Sequence, residues 1–296
     1  MKQIILYIFS YFFYFIAYSQ SNVLNEFVGT LQLDNKQIIT YKISINPTNT
    51  GDFKGTSVSD IFGKDRTHSN IIGKFNAERN KISFTELNNI SSKSKAADEL
   101  FCYITVKDAK LNIRNNKAII QGKFKGLFKN GKACANGKIF LISVQYLDSL
   151  SNFYLNNESK LSQDSIKTIK HKINTLKTLS EKTTIKANDT LRLNLESNEI
   201  IIELWDGEKE DNDEVTLYYN DNQILDRLTI KKEKKLLVIP IESNNGLIQV
   251  KAINEGVHPP CTANILIKDN TNFIPIISVL KKGESAYIKI LKKTKK

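Results

Sequence analysis

Histidine, tryptophan, methionine and proline are all scarce in this chain. Its 296 residues include 3 His, 1 Trp, 1 Met and 5 Pro. So few His, Trp and Met leave little material for histidine metal centres, aromatic cages or Met-rich grooves. The Pro count, with only 13 Gly, excludes collagen-like and low-complexity architecture. Three Cys are too few for a disulfide-built scaffold, and a chain this long buries a core without such staples. Also missing are a G-x-S-x-G elbow, a P-loop, an H-E-x-x-H pair and a dinucleotide fingerprint. A hydrolase would have to rest on carboxylates that the fold brings together, so it is the least favoured reading. No helix-turn-helix, finger or RNP-like pattern points to nucleic acid.

What is present is ordinary globular material, 41% hydrophobic and 25% charged. The N-terminus is the exception. Lys2 is followed by an uncharged run from Ile4 to Tyr18 rich in Phe, Tyr and Ile, then Ala17-Tyr18-Ser19. That order matches a secretory signal peptide over 1–19, with a cut before Gln20. The run is shorter than the roughly 20 apolar residues that span a bilayer, so no transmembrane segment is expected in the mature chain. No Cys follows it as a lipid acceptor. The expected compartment is the periplasm or the medium.

Net charge is +12, and loss of Lys2 with the signal leaves +11. Residues 20–150 hold 19 basic against 11 acidic side chains, so the first half carries most of it. A basic exported surface suits an anionic envelope surface or another envelope protein as partner.

From Phe27 onward apolar and polar residues alternate with the period of half-buried strands. Phe27, Gly29, Leu31 and Leu33 share one face, and Tyr41, Ile43 and Ile45 share another. Turn signals separate strands expected at 26–33, 37–46, 53–61, 67–75, 81–88, 100–112, 117–128 and 133–143. Eight strands joined by short turns close into an up-and-down β-barrel over 20–148. Gly122, Phe124, Gly126 and Phe128 alternate small and large on one face, as a barrel interior requires. Such a barrel is filled by side chains or holds one small apolar ligand, for which Tyr41, Phe124 and Phe128 are the candidate lining.

Residues 149–187 turn Ser-, Asn-, Lys- and Thr-rich, and Ile166, Ile169, Ile173 and Leu176 recur at helical spacing. They read as a linker with a short helix. Alternation then resumes with Leu191, Leu193 and Leu195, Ile200, Ile202 and Leu204, and Val215, Leu217 and Tyr219. Seven to nine short strands over 188–296, ending Lys-rich, fit an immunoglobulin-like β-sandwich. The fold class is therefore all-β.

The densest chemistry lies between two of these strands, in Trp205-Asp206-Gly207-Glu208-Lys209-Glu210-Asp211-Asn212-Asp213-Glu214. Six carboxylates in nine residues repel one another unless a cation or hydrogen bonds compensate. Calcium suits such a turn, with Asp206, Glu208, Asp211 and Asp213 as ligands, although Leu217 stands where an EF-hand would place its bidentate Glu.

The run Trp205 to Asn220 resembles a pattern in exported β-sandwich domains of Bacteroidetes, as does Ala252-Ile253-Asn254-Glu255-Gly256-Val257-His258-Pro259-Pro260-Cys261-Thr262-Ala263. Asn212 and Cys261 depart from it, at positions usually Gly and Asn. The first half is similar to β-rich domains of such proteins through Gly126-Leu127-Phe128 and the paired Cys102 and Cys134. This resemblance implies a fold and an exported setting, and no activity.

Three Cys in an exported chain suggest one bridge, between Cys102 and Cys134, with Cys261 left over; the alternative is free buried thiols. Cys102 and Cys134 would both sit at the same barrel end, near the starts of the sixth and eighth strands. Strands two apart lie about 9.6 Å from each other, beyond the roughly 4.4–6.8 Å Cα reach of a disulfide, so either the barrel end curls to join them or the strand order differs from a simple meander. His258 and Cys261 alone make neither a zinc site nor a catalytic pair. The sequence thus points to an exported, non-enzymatic binding or structural protein, with calcium as its one possible cofactor.

Overall fold

The computed structural model describes residues 25–293 apart from 49, 62–64, 116, 157–161, 179–181 and 208. The signal-peptide segment 1–19 therefore lies outside the described residues. No described helix is long and apolar enough to cross a membrane.

The first half is an eight-stranded, closed, antiparallel barrel. Its strands are β1 (Glu26–Leu33), β2 (Ile38–Pro47), β3 (Asp52–Asp60), β4 (Thr67–Asn76), β5 (Lys81–Ser92), β6 (Tyr103–Arg114), β7 (Lys117–Leu127) and β8 (Ala133–Ser143). Each pairs with the next and β8 closes on β1, Phe27 facing Ser143 and Leu33 facing Gly137. Closure removes the exposed edges that a flat meander would leave. Alternation decides what lies inside: Phe27, Leu31, Tyr41, Ile43, Ile45, Phe53, Ile71, Ile82, Phe84, Ile120, Phe124, Ile139 and Leu141 form one buried cluster. The opposite face of β1 sends Val28 outward, where Ile142 and Leu147 bury it.

The Cys102–Cys134 disulfide is present, with its Cα atoms 6.0 Å apart. The flat-sheet spacing overstates this distance because inward residues of a closing barrel converge. Gly126 of β7, the strand between them, makes the crossing possible. A Cβ there would stand 2.4 Å from the Cys102 sulfur and 3.1 Å from that of Cys134.

Two helices follow, α1 (Val144–Asn156) and α2 (Gln163–Thr178), where the sequence suggests one. The Ser143 hydroxyl caps α1 by accepting the Tyr146 N–H at 3.3 Å, so chain direction changes directly from β8 into a helix. Leu147 and Leu150 of α1 and Ile173 and Leu176 of α2 belong to the small outer cluster on the barrel wall.

The second half is a two-sheet sandwich. One sheet runs β13 (Asn222–Thr229), β12 (Glu214–Tyr219), β15 (Asn245–Ala252), β18 (Ser285–Lys292) and β10 (Thr190–Leu195). The other runs β14 (Lys235–Pro240), β11 (Glu199–Trp205), β16 (Cys261–Lys268), β17 (Phe273–Leu280) and β9 (Thr183–Lys186). Leu191, Leu193, Ile200, Ile202, Ile248, Ile265, Ile276 and Ile288, drawn from both sheets, share one core. β9 lies within the stretch expected as linker, and its parallel pairing with β17 makes it part of the sandwich.

The halves are hydrogen-bonded to each other. β5 runs past the barrel, and Ser91 and Ser92 pair with Leu193 and Arg192 of β10. Ile90, on the same extension, packs into the sandwich core. Beside this junction the Lys93 ammonium meets the Asp189 carboxylate at 2.6 Å, and Arg192 donates to the Ala96 carbonyl at 2.6 Å.

Candidate functional site

β11 ends at Trp205 and β12 starts at Glu214, so the acidic run is the turn between strands of opposite sheets. Backbone bonds fix both ends: Asp206 N–H donates to the Lys231 carbonyl and Ile230 N–H to the Asp213 carbonyl, each at 2.8 Å. Asn212 takes φ 68°, a left-handed conformation that Asn tolerates better than most residues.

The second segment singled out in the sequence, 252–263, folds back over this turn. Val257 N–H donates to the Asp211 carbonyl at 2.9 Å. His258 N–H reaches Asp211 Oδ2, and Thr262 N–H reaches Asp213 Oδ2, both at 2.8 Å. Gly256 sits so close that a Cβ would lie 2.5 Å from the Asp211 carbonyl oxygen, and its φ is +55°.

The outcome is three aspartates withdrawn from water. Asp206, Asp211 and Asp213 are 4%, 7% and 2% exposed. Asp213 Oδ1 is buried without a hydrogen-bond partner. Burial, then the charges of Asp211 and Asp206, push the Asp213 carboxyl up to about 6 against the opposing pull of the Thr262 N–H and, more weakly, of the Cys261 thiol. Among the described residues no three Asp, Glu, His or Cys side chains converge closely enough to chelate a metal unaided. Glu208 lies outside the described residues. Any cation here would have to draw on main-chain carbonyls and water as well as on carboxylates.

Cys261 is buried beside Asp213. Burial, and after it the Asp213 charge, raise its thiol far above the ordinary range. Burial and the neighbouring acids thus both work against formation of the thiolate, the reactive form.

Of the proposed barrel lining, Phe124 borders a cavity of about 290 Å³ at the barrel mouth. Tyr41 lies fully buried and reaches the cavity only through Glu86, to which its hydroxyl donates at 2.8 Å. Phe128 does not belong there. β7 ends at Leu127, and Phe128 closes the following turn by donating its N–H to the Lys132 carbonyl at 2.8 Å.

Glu86 belongs to no sequence motif. It continues the inward face of β5 after Ile82 and Phe84, where alternation should place an apolar side chain. Burial raises its carboxyl, while Ser57, the Ile104 N–H and Tyr41 lower it by hydrogen bonding.

Another titrating group of the barrel yields a prediction. Burial, reinforced by Arg66 and then Lys42, lowers His68 on β4 to about 4. The unfolded chain takes up this proton near 6.5, so between about 6.5 and 4 it binds more protons than the folded chain. Stability contributed at this position is thus full above about 6.5 and falls as the pH drops towards 4. The difference in unfolding free energy between His68→Asn and wild type should grow in the variant's favour across that window. A parallel pair of pH profiles would contradict the assignment.

No family model, curated protein or solved structure matches the chain.

Proposed function

We propose that the chain is an exported, non-enzymatic binding protein of the bacterial envelope, whose second half is an immunoglobulin-like sandwich clamped by calcium at the acidic turn. One observation carries the metal reading: the partnerless, buried Oδ1 of Asp213 beside Asp211 and Asp206. An anionic oxygen in such a place is costly unless a proton or a cation compensates it. Calcium accepts six to eight oxygens with flexible geometry, which suits carboxylates spread along a turn better than a small rigid ion would. Calcium titration of the full chain, followed by calorimetry and by melting temperature, tests the reading. Saturable heat and a raised melting temperature are expected; silence in both contradicts it.

The outer face of the barrel supports an anionic surface as partner. Lys107, Lys123, Lys125 and Lys138 border an open groove of about 950 Å³ across β6, β7 and β8. Lys123 and Lys138 stand directly opposite each other, a pairing that costs stability unless an anion screens it. Vesicles containing anionic lipid should bind the protein at low salt and release it at high salt. The triple change Lys123→Glu/Lys125→Glu/Lys138→Glu should abolish binding without moving the melting temperature downward. Binding that survives the triple change would place the surface elsewhere.

A further inference from the structure

We propose that the mouth of the barrel is a binding site for a small organic cation, an ammonium group carried on an apolar body. The cavity, about 290 Å³, has Leu31, Leu33, Ile39, Ile104, Phe101 and Phe124 on the apolar part of its wall, and Ser, Thr and Asn side chains beside Glu86 on the rest. That volume sits at the lower edge of ordinary small-molecule sites, which start near roughly 300 Å³. The Glu86 carboxylate lies on its border and fixes the chemistry of the guest.

Three neutral donors hold that carboxylate. Tyr41 Oη and Ser57 Oγ donate to Oε1 at 2.8 and 2.5 Å, and the Ile104 N–H donates to Oε2 at 2.7 Å. A carboxylate offers about four acceptor positions, so room for a further donor remains. None of the three brings positive charge. Among the described residues that line the cavity, the only charged side chains are Asp65 and Glu86, both acidic. A buried carboxylate without a counter-charge favours either a proton or a cationic guest. The same pair of acids repels a fatty acid or any other anion.

The roof of the cavity is the β5–β6 connection, through Ser94, Ala96, Leu100 and Phe101. Arg192 of the sandwich pins it, donating to the Ala96 carbonyl at 2.6 Å and lying 5.3 Å from the centre of the Phe101 ring. The cavity is lined by the barrel half alone, and the sandwich acts on it only by holding this roof in place. The pocket owes nothing to the acidic turn, and this inference stands or falls independently of calcium.

Titration of the full chain with hexylammonium, hexanol and hexanoate at neutral pH provides the test, because the three share one chain and differ in the head group. Hexylammonium should bind at least about tenfold more tightly than hexanol, with no binding of hexanoate. Glu86→Gln keeps the side-chain shape and removes the charge, and should erase the preference for the ammonium over the alcohol. Should that variant fail to fold, the wild-type ranking alone decides. Equal affinity for ammonium and alcohol, tighter binding of hexanoate, or no saturable binding of hexylammonium at millimolar concentration overturns the proposal.

Discussion

Replacing both Cys102 and Cys134 by Ser is expected to lower the unfolding free energy by about 3–4 kcal/mol, the loop-entropy value for a crosslink of this span. The two residues are 32 apart in sequence, and their bridge ties β6 to β8 across the face of β7. Denaturant unfolding of wild type and double variant measures the loss. The crossing also makes a steric prediction that entropy alone does not. Gly126→Val places a side chain where a Cβ already falls 2.4 Å from the Cys102 sulfur, and backbone pairing of Gly126 with both Ile104 and Ala135 leaves β7 little freedom to retreat. The variant should therefore carry free thiols, detected by intact mass and alkylation without reductant. A fully oxidised, equally stable Gly126→Val protein would show that the bridge does not pass over this residue.

Asp213→Asn should act in opposite directions with and without calcium. In EDTA the substitution removes one of three crowded carboxylates and leaves a shape of the same size. The variant should melt at or above the wild-type temperature, because Asp211 and Asp206 lose a like-charged neighbour. In calcium the order should reverse. A ligand at one hundred times its dissociation constant stabilises the native state by about 2.7 kcal/mol, and the variant should forfeit most of that gain. Cost in both media would mean that Asp213 serves structure alone, through the hydrogen bond its Oδ2 accepts from Thr262.

The barrel was legible in the sequence because its signal is local. Period-two alternation sorted Phe27, Leu31, Tyr41, Ile43 and Ile45 inward, and short turns left each strand little choice of partner except the next. The strands the sequence misjudged lack that contrast. Asn88 to Ser92, the extension of β5, is mostly polar, and its strand character comes from pairing with Thr67 to Asn70 of β4 and, at Ser91 and Ser92, with β10 about one hundred residues away. β9 has four residues, Thr-Thr-Ile-Lys, and only its parallel pairing with β17 makes it a strand.

The sites divide in the same way. The acidic turn announces itself by composition, and the 252–263 segment joins it in space through Val257, His258 and Thr262. What composition could not reveal was which carboxylates are buried. Glu86 left a readable trace, a charge on the same face of β5 as Ile82 and Phe84. It passes for ordinary alternation until the barrel closes around it. The disulfide required curvature, which no strand pattern encodes.

Calcium is proposed to complete the buried aspartates of the acidic turn. The most direct test is the melting temperature of the full chain in millimolar calcium and then in EDTA, beside Asp211→Ala/Asp213→Ala. A calcium-dependent rise in the wild type that is reversed by EDTA and absent from the double variant is the predicted result. Identical melting of the wild type in both media would contradict it and leave the Asp213 carboxyl to be neutralised by a proton.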